Sequence, residues 1–147
     1  MKKTLLLILS LLLFAVPALA TENWVYLLTN QTMLVYLDSS RVTQDDKGNY
    51  TYFIKYVPKD AATQRAASEN LMVHGEKLRP EEFSHMEIEF LLPTGTRQER
   101  GLAVNFFDLK GQNIFRLNKA ECGEKFYKDL TISGYRALIA ALKKAQE

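Results

Sequence analysis

A chain of 147 residues with a formal net charge of +2 suits one domain with its own core, and its charge is too small to attract nucleic acid or an anionic bilayer through a global field. Even that excess belongs to the start: without Lys2 and Lys3, 17 basic residues face 17 acidic ones. One cysteine, Cys122, excludes an internal disulfide.

The first twenty residues read as a leader rather than as part of the fold. Met1-Lys2-Lys3 is a basic start, Leu5 to Val16 is apolar except for Ser10, and Ala18-Leu19-Ala20 is a small-x-small cleavage pattern before Thr21. These features predict a signal peptide over 1–20, cleavage after Ala20, and a single mature domain over 21–147. The apolar run is short for a span of about 20 residues, so no stable membrane span is expected. Thr21 at the cleavage point, where a lipoprotein would carry Cys, argues against lipid attachment. The expected location is the periplasm or the outer cell surface.

In the mature chain, Asn23 to Leu28 is rich in aromatic and aliphatic residues and predicts a first strand, with Thr29 to Thr32 as a polar break. Met33 to Leu37 predicts a second strand, closed by the turn-forming Asp38-Ser39-Ser40. Asp45-Asp46-Lys47-Gly48-Asn49 lacks the ligand spacing and closing Glu of a calcium loop and reads as a solvated turn. From Tyr50 to Val57, Tyr50, Tyr52, Ile54 and Tyr56 alternate with Thr51, Phe53, Lys55 and Val57. That is a strand with two distinct faces, stopped by Pro58.

After Pro58 the composition changes to helix formers. Asp60 is placed to cap a helix running to about Leu71, although Asn70 to His74 fits a strand as well, and Gly75 and Pro80 end the element. A central hairpin follows over Ser84 to Leu109. Met86, Ile88, Phe90 and Leu92 alternate with His85, Glu87 and Glu89; after a turn over Pro93 to Glu99, Leu102, Val104 and Phe106 alternate with Ala103, Asn105 and Phe107. Asp108 to Gln112 is a second tight turn, leading to a short sixth strand over Asn113 to Leu117. Finally, Ser133 is expected to cap a helix whose Tyr135, Leu138, Ile139 and Leu142 fall at i, i+3, i+4 and i+7, with Lys143 and Lys144 in its last turn. The predicted class is α+β: an antiparallel sheet of about six strands, a C-terminal helix packed on one face, and a helix in the middle of the chain.

Trp24-Val25 near the mature start, Tyr36-Leu37-Asp38-Ser39-Ser40 at the end of the second strand, the aromatic third strand, and Leu130-Thr131-Ile132-Ser133-Gly134 before the last helix resemble the bacterial surface-adhesin protein E-like domain family. The resemblance spans most of the mature chain through short motifs. It implies a small exported protein with a six-stranded antiparallel sheet under a C-terminal helix, and binding to host extracellular-matrix proteins. The family commonly ties sheet to helix with a disulfide, and this chain has no cysteine at either position. That staple's contribution of about 2–4 kcal/mol is then left to the packing of Leu138, Ile139 and Leu142.

No reactive constellation emerges. His85, Glu87 and Glu89 share a strand face and could offer two metal ligands, but alternating polar residues on a solvated face explain them equally well, and zinc wants three or four converging ligands. Ser39, Ser40 and Ser133 have turn and capping roles, and Asp45 and Asp46 diverge into solvent. Cys122 lies among Glu121, Gly123 and Glu124, which discourage a thiolate; an incidental thiol and an intermolecular disulfide both fit. No catalytic residue, metal or cofactor is assigned. Aromatic residues and arginines favour interfaces, so Tyr50, Tyr52 and Tyr56 with Arg97 and Arg100 are the candidate partner-binding residues, Lys77 and Arg79 lying nearby in sequence. The leading expectation is a non-enzymatic envelope or surface protein that binds an envelope or matrix protein. The alternative is a periplasmic small-ligand module with an apolar pocket among Tyr52, Phe90 and Leu138. An uncovered edge strand would also invite a homodimer.

Overall fold

The computed structural model describes residues 23–72, 82–118 and 127–147. The leader, His74, Lys77, Arg79 and Cys122 lie outside the described residues. In chain order the elements are β1 (Trp24–Thr29), β2 (Met33–Asp38), a 3-10 turn (Ser39–Arg41), β3 (Thr43–Gln44), β4 (Tyr50–Pro58), α1 (Ala61–Met72), β5 (Phe83–Leu92), β6 (Gln98–Asp108), β7 (Asn113–Asn118), β8 (Tyr127–Asp129) and α2 (Ile132–Lys144).

The sheet is antiparallel and ordered β1-β2-β4-β5-β6-β7, with the short β3 on β4 and β8 on β6. The predicted α+β class is therefore observed, with six strands in the main order plus two short ones. Helix α1 interrupts the meander between β4 and β5, and Asp60 caps it by accepting the Thr63 amide at 2.8 Å.

Two turns share one construction. In both Asp45 to Asn49 and Asp108 to Gln112, the aspartate Oδ1 accepts the amides two and four residues on, and the glycine amide donates to the aspartate carbonyl. The glycines, Gly48 and Gly111, have φ of 81° and 76°, the left-handed region that a side chain resists. Asp45 is thus spent on shaping a turn. A Cβ on Gly48 would also come within 2.8 Å of Thr94 Oγ1.

The core lies on one face. Val35, Leu37, Ile54, Ile88, Phe90, Leu92 and Val104 pack under Leu138 and Leu142 of α2, with Tyr135 and Ile139 beside them. Each such side chain contributes about 1.5–3 kcal/mol on burial. Ala67 of α1 packs on Phe83 together with Met86 and Phe106, so both helices lie on this face.

Two expected boundaries shift. Strand β6 begins at Gln98, inside the expected turn, because β8 pairs with Gln98 to Arg100 and holds them extended. A register shift between Glu89 and Phe90 pairs them with Ala103 and Gly101, so Leu102 has no opposite residue and drops out of the alternation. The terminal helix is capped by Thr131, not Ser133: its Oγ1 accepts the Gly134 amide at 3.1 Å. Leu130 donates its amide to the Arg97 carbonyl at 2.8 Å, which keeps the chain extended through Thr131 and leaves Ser133 inside the first turn.

Candidate functional site

On the sheet face away from the helices, the register aligns Tyr36, Lys55, Glu87, Asn105 and Arg116 in one row across five strands. Among the described residues no helix lies on this face. Its organising group is Arg41, at the end of the 3-10 turn. Asp38 starts that turn, fully buried, accepting from the Ser40 amide and hydroxyl. Arg41 turns back so that Nε donates to Asp38 Oδ2 and Nη2 donates to Glu87 Oε2 at 3.0 Å. Its guanidinium lies 4.2 Å from the Phe53 ring centre and 5.4 Å from that of Trp24.

The network continues in both directions. Glu87 Oε1 stands 3.6 Å from His85 Nε2, and the His85 ring stacks on Phe107 at 4.7 Å. On the other side Lys55 Nζ sits 4.0 Å over Trp24 and 5.9 Å from Tyr36, and Tyr26 meets Tyr36 edge to face at 5.8 Å. Two cations thus approach the Trp24 ring, an arrangement worth about 0.5–2 kcal/mol for each contact.

Burial alone would raise the Asp38 and Glu87 carboxyls. The bonds from Ser40 and Arg41 outweigh it at Asp38, and those from His85 and Arg41 outweigh it at Glu87, so both are held below their ordinary values. The same carboxylates overcome the burial of Arg41 and hold its guanidinium charged. Both Glu87 oxygens face basic groups, which makes His85 and Glu87 arms of an ion-pair network. Among the described residues no three His, Cys, Asp or Glu side chains are placed to hold a metal.

The candidate tyrosines lie elsewhere. Tyr50 and Tyr52 are 6 % and 0 % exposed and Tyr56 packs beside them, all on the core face. Alternation fixes that the four residues Tyr50, Tyr52, Ile54 and Tyr56 share a face; the apolar partners Met86, Ile88, Phe90 and Leu92 across β5 decide that this face goes inward. Tyr52 stacks on Phe90 and donates its hydroxyl to Glu99. Arg97 and Arg100 are exposed, so the tyrosine row and the arginines do not form one surface. Arg100 instead lies 5.5 Å over the ring of Tyr127 on β8.

Tyr52, Phe90 and Leu138, 0 %, 4 % and 8 % exposed, belong to one packed cluster. A recess of about 210 Å³ lies at the rim of the sheet and α2, between Tyr50, Pro93, Tyr135 and Lys143. It is smaller than the roughly 300–1,000 Å³ of typical small-molecule sites.

The remaining surface feature is β1. It lies at the end of the strand order and carries no charged residue. A register shift between Tyr26 and Leu28 lets Leu27 pack against the core, while Val25, Tyr26 and Leu28 stay 47 %, 55 % and 49 % exposed. Sequence reasoning found β1 as a strand but not as an edge, and found Asp38 as a turn residue but not as the anchor of Arg41. An arginine three residues after a strand-ending aspartate was the available signal.

Comparison of the chain with protein-family models, with curated proteins and with solved structures found no match. Among the described residues, no helix is long and apolar enough to cross a membrane.

Proposed function

We propose that this chain is an exported, non-enzymatic envelope or cell-surface protein that acts by binding another protein, with β1 as the strand that meets the partner. The observation that carries this reading is the edge itself. Natural sheets protect their edges with charge, proline or cover, and β1 offers Val25, Tyr26 and Leu28 to solvent with no charge between Trp24 and Thr29. Such an edge suits strand addition, in which main-chain bonds give affinity and alternate side chains give selectivity. Behind it, the cations over Trp24 and the Asp38–Arg41–Glu87 network brace the strand's start.

Export is supported by the leader pattern of residues 1–20. Adhesion to host matrix rests on the resemblance of Trp24-Val25, Tyr36 to Ser40 and Leu130 to Gly134 to the surface-adhesin protein E-like family. A homodimer through β1 would use the same edge.

The test is a binding screen of the purified protein against immobilised matrix proteins and, separately, a pull-down from envelope extract, with sedimentation to report self-association. The reading expects saturable binding to at least one protein. A monomer that binds nothing in either arm removes it.

A further inference from the structure

Among the described residues two glutamates are buried in the sheet, one on each face, and their surroundings differ in kind. Glu87, 4 % exposed, has a guanidinium on one oxygen and an imidazole near the other. Glu99, 5 % exposed, accepts a hydrogen bond from the Tyr52 hydroxyl, and among the described residues no cation comes within ion-pair distance of it. From β4 the Tyr52 hydroxyl donates to it, and Tyr56 feels its charge through space. From β8 the Lys128 ammonium acts on it through space, Lys128 being its register partner. From α2 the neighbouring cluster receives Leu138 and Leu142, with Tyr135, Ile139 and Ala141 packed against it.

The position matters as much as the burial. Glu99 is the middle of the three residues by which β6 holds β8, between Gln98 paired with Asp129 and Arg100 paired with Tyr127. The same contact runs on through the Leu130 amide on the Arg97 carbonyl into the Thr131 cap of α2. An ionised Glu99 is poorly hydrated where it lies, and the strand beside it in register is the short, exposed β8, so a charge on the carboxylate strains this contact before any other.

We infer that Glu99 is a proton-operated latch on the β8–α2 strap: protonated, it stays as a neutral group in the core, and ionised, it drives the strap to loosen. The proton comes from solvent and no other group need change. Burial raises the carboxyl above its ordinary 4.5, outweighing the Tyr52 bond and the Lys128 charge that lower it. A raised value means that the folded protein holds this proton more tightly than the unfolded chain does. Stability therefore rises as pH falls through the raised value towards 4.5, and declines again as pH rises.

The experiment is thermal melting of the full protein between about pH 8 and pH 5, wild type against Glu99→Gln, with hydrogen exchange of the 127–144 amides read in parallel. The amide mimics the protonated acid. Wild-type Tm should rise by roughly 3–6 °C on acidification, with slower exchange in the strap. Glu99→Gln should melt higher than wild type at the alkaline end and lose that rise, and the difference between the two proteins removes any histidine contribution. Lys128→Gln, an exposed change, should move the wild-type midpoint upward by a few tenths of a pH unit, which keeps the idea testable should Glu99→Gln fail to fold. An equal pH slope in wild type and Glu99→Gln, or an unmoved midpoint in Lys128→Gln, overturns the latch.

Discussion

Asp38 shows how one short side chain serves two roles. Its Oδ1 shapes the turn after β2 through Ser40, and its Oδ2 anchors Arg41, so the turn chemistry delivers the guanidinium to Glu87 across the sheet. Removing the cation would strand two buried carboxylates. Loss of one partner of a buried pair costs about 3–5 kcal/mol, and Arg41, about a third exposed, sits below that range. Arg41→Ala is expected to lose roughly 2–3 kcal/mol in urea denaturation, whereas Lys55→Ala should lose about 1 kcal/mol or less through its aromatic contacts.

These carboxylates also set an acid limit. Asp38 and Glu87 titrate below their ordinary 3.8 and 4.5, so the folded protein binds those protons less tightly than the unfolded chain. Their stabilisation is present above the ordinary values and is lost as pH falls through the depressed ones. Acid unfolding is therefore expected to begin below about pH 4.5, and Arg41→Ala should move its onset upward, as read by circular dichroism against pH.

At the scale of elements, α2 is docked by packing. Leu142 is fully buried against the sheet, and Leu142→Ala should cost about 2–5 kcal/mol, in line with other core truncations. The cap offers a sharper comparison. Thr131→Ala removes the acceptor for the Gly134 amide and should cost about 0.5–2 kcal/mol, while Ser133→Ala, inside an exposed first turn, should change stability by less than about 0.5 kcal/mol. Equal effects in the two variants would contradict the assigned cap.

The alternation of β4 and β5 and the helical stripe of Tyr135, Leu138, Ile139 and Leu142 were legible in the chain because period alone identifies such elements. The Ser133 expectation failed because Thr131 and Ser133 are both good caps. The choice between them depends on the long-range bond from Leu130 to Arg97, which no local pattern announces. Strands β3 and β8 escaped notice for a related reason: each is three residues or fewer and exists only through its partner.

For the whole molecule, the class, the antiparallel pairing and the C-terminal helix on one face follow from residue patterns, but the strand order and the candidate surface do not. Tyr50, Tyr52 and Tyr56 are good interface residues by type, and only their β5 partners reveal that they face the core. Conversely, Val25, Tyr26 and Leu28 look like core residues and become surface because β1 ends the strand order. A strand's place in the sheet is a global property, set by which strands find one another. The layout leaves one face to the two helices and, among the described residues, no helix on the opposite face, and the proposed role draws on the β1 edge beside it.

The most direct test of the proposed role is the affinity of the double variant Val25→Lys, Leu28→Lys for whichever protein the wild type captures, with melting temperature measured alongside. Both side chains are about half exposed, and paired charges on an edge block strand addition. The account predicts at least a tenfold loss of affinity, about 1.4 kcal/mol or more, with Tm nearly unchanged. Undiminished binding by the correctly folded variant would contradict it.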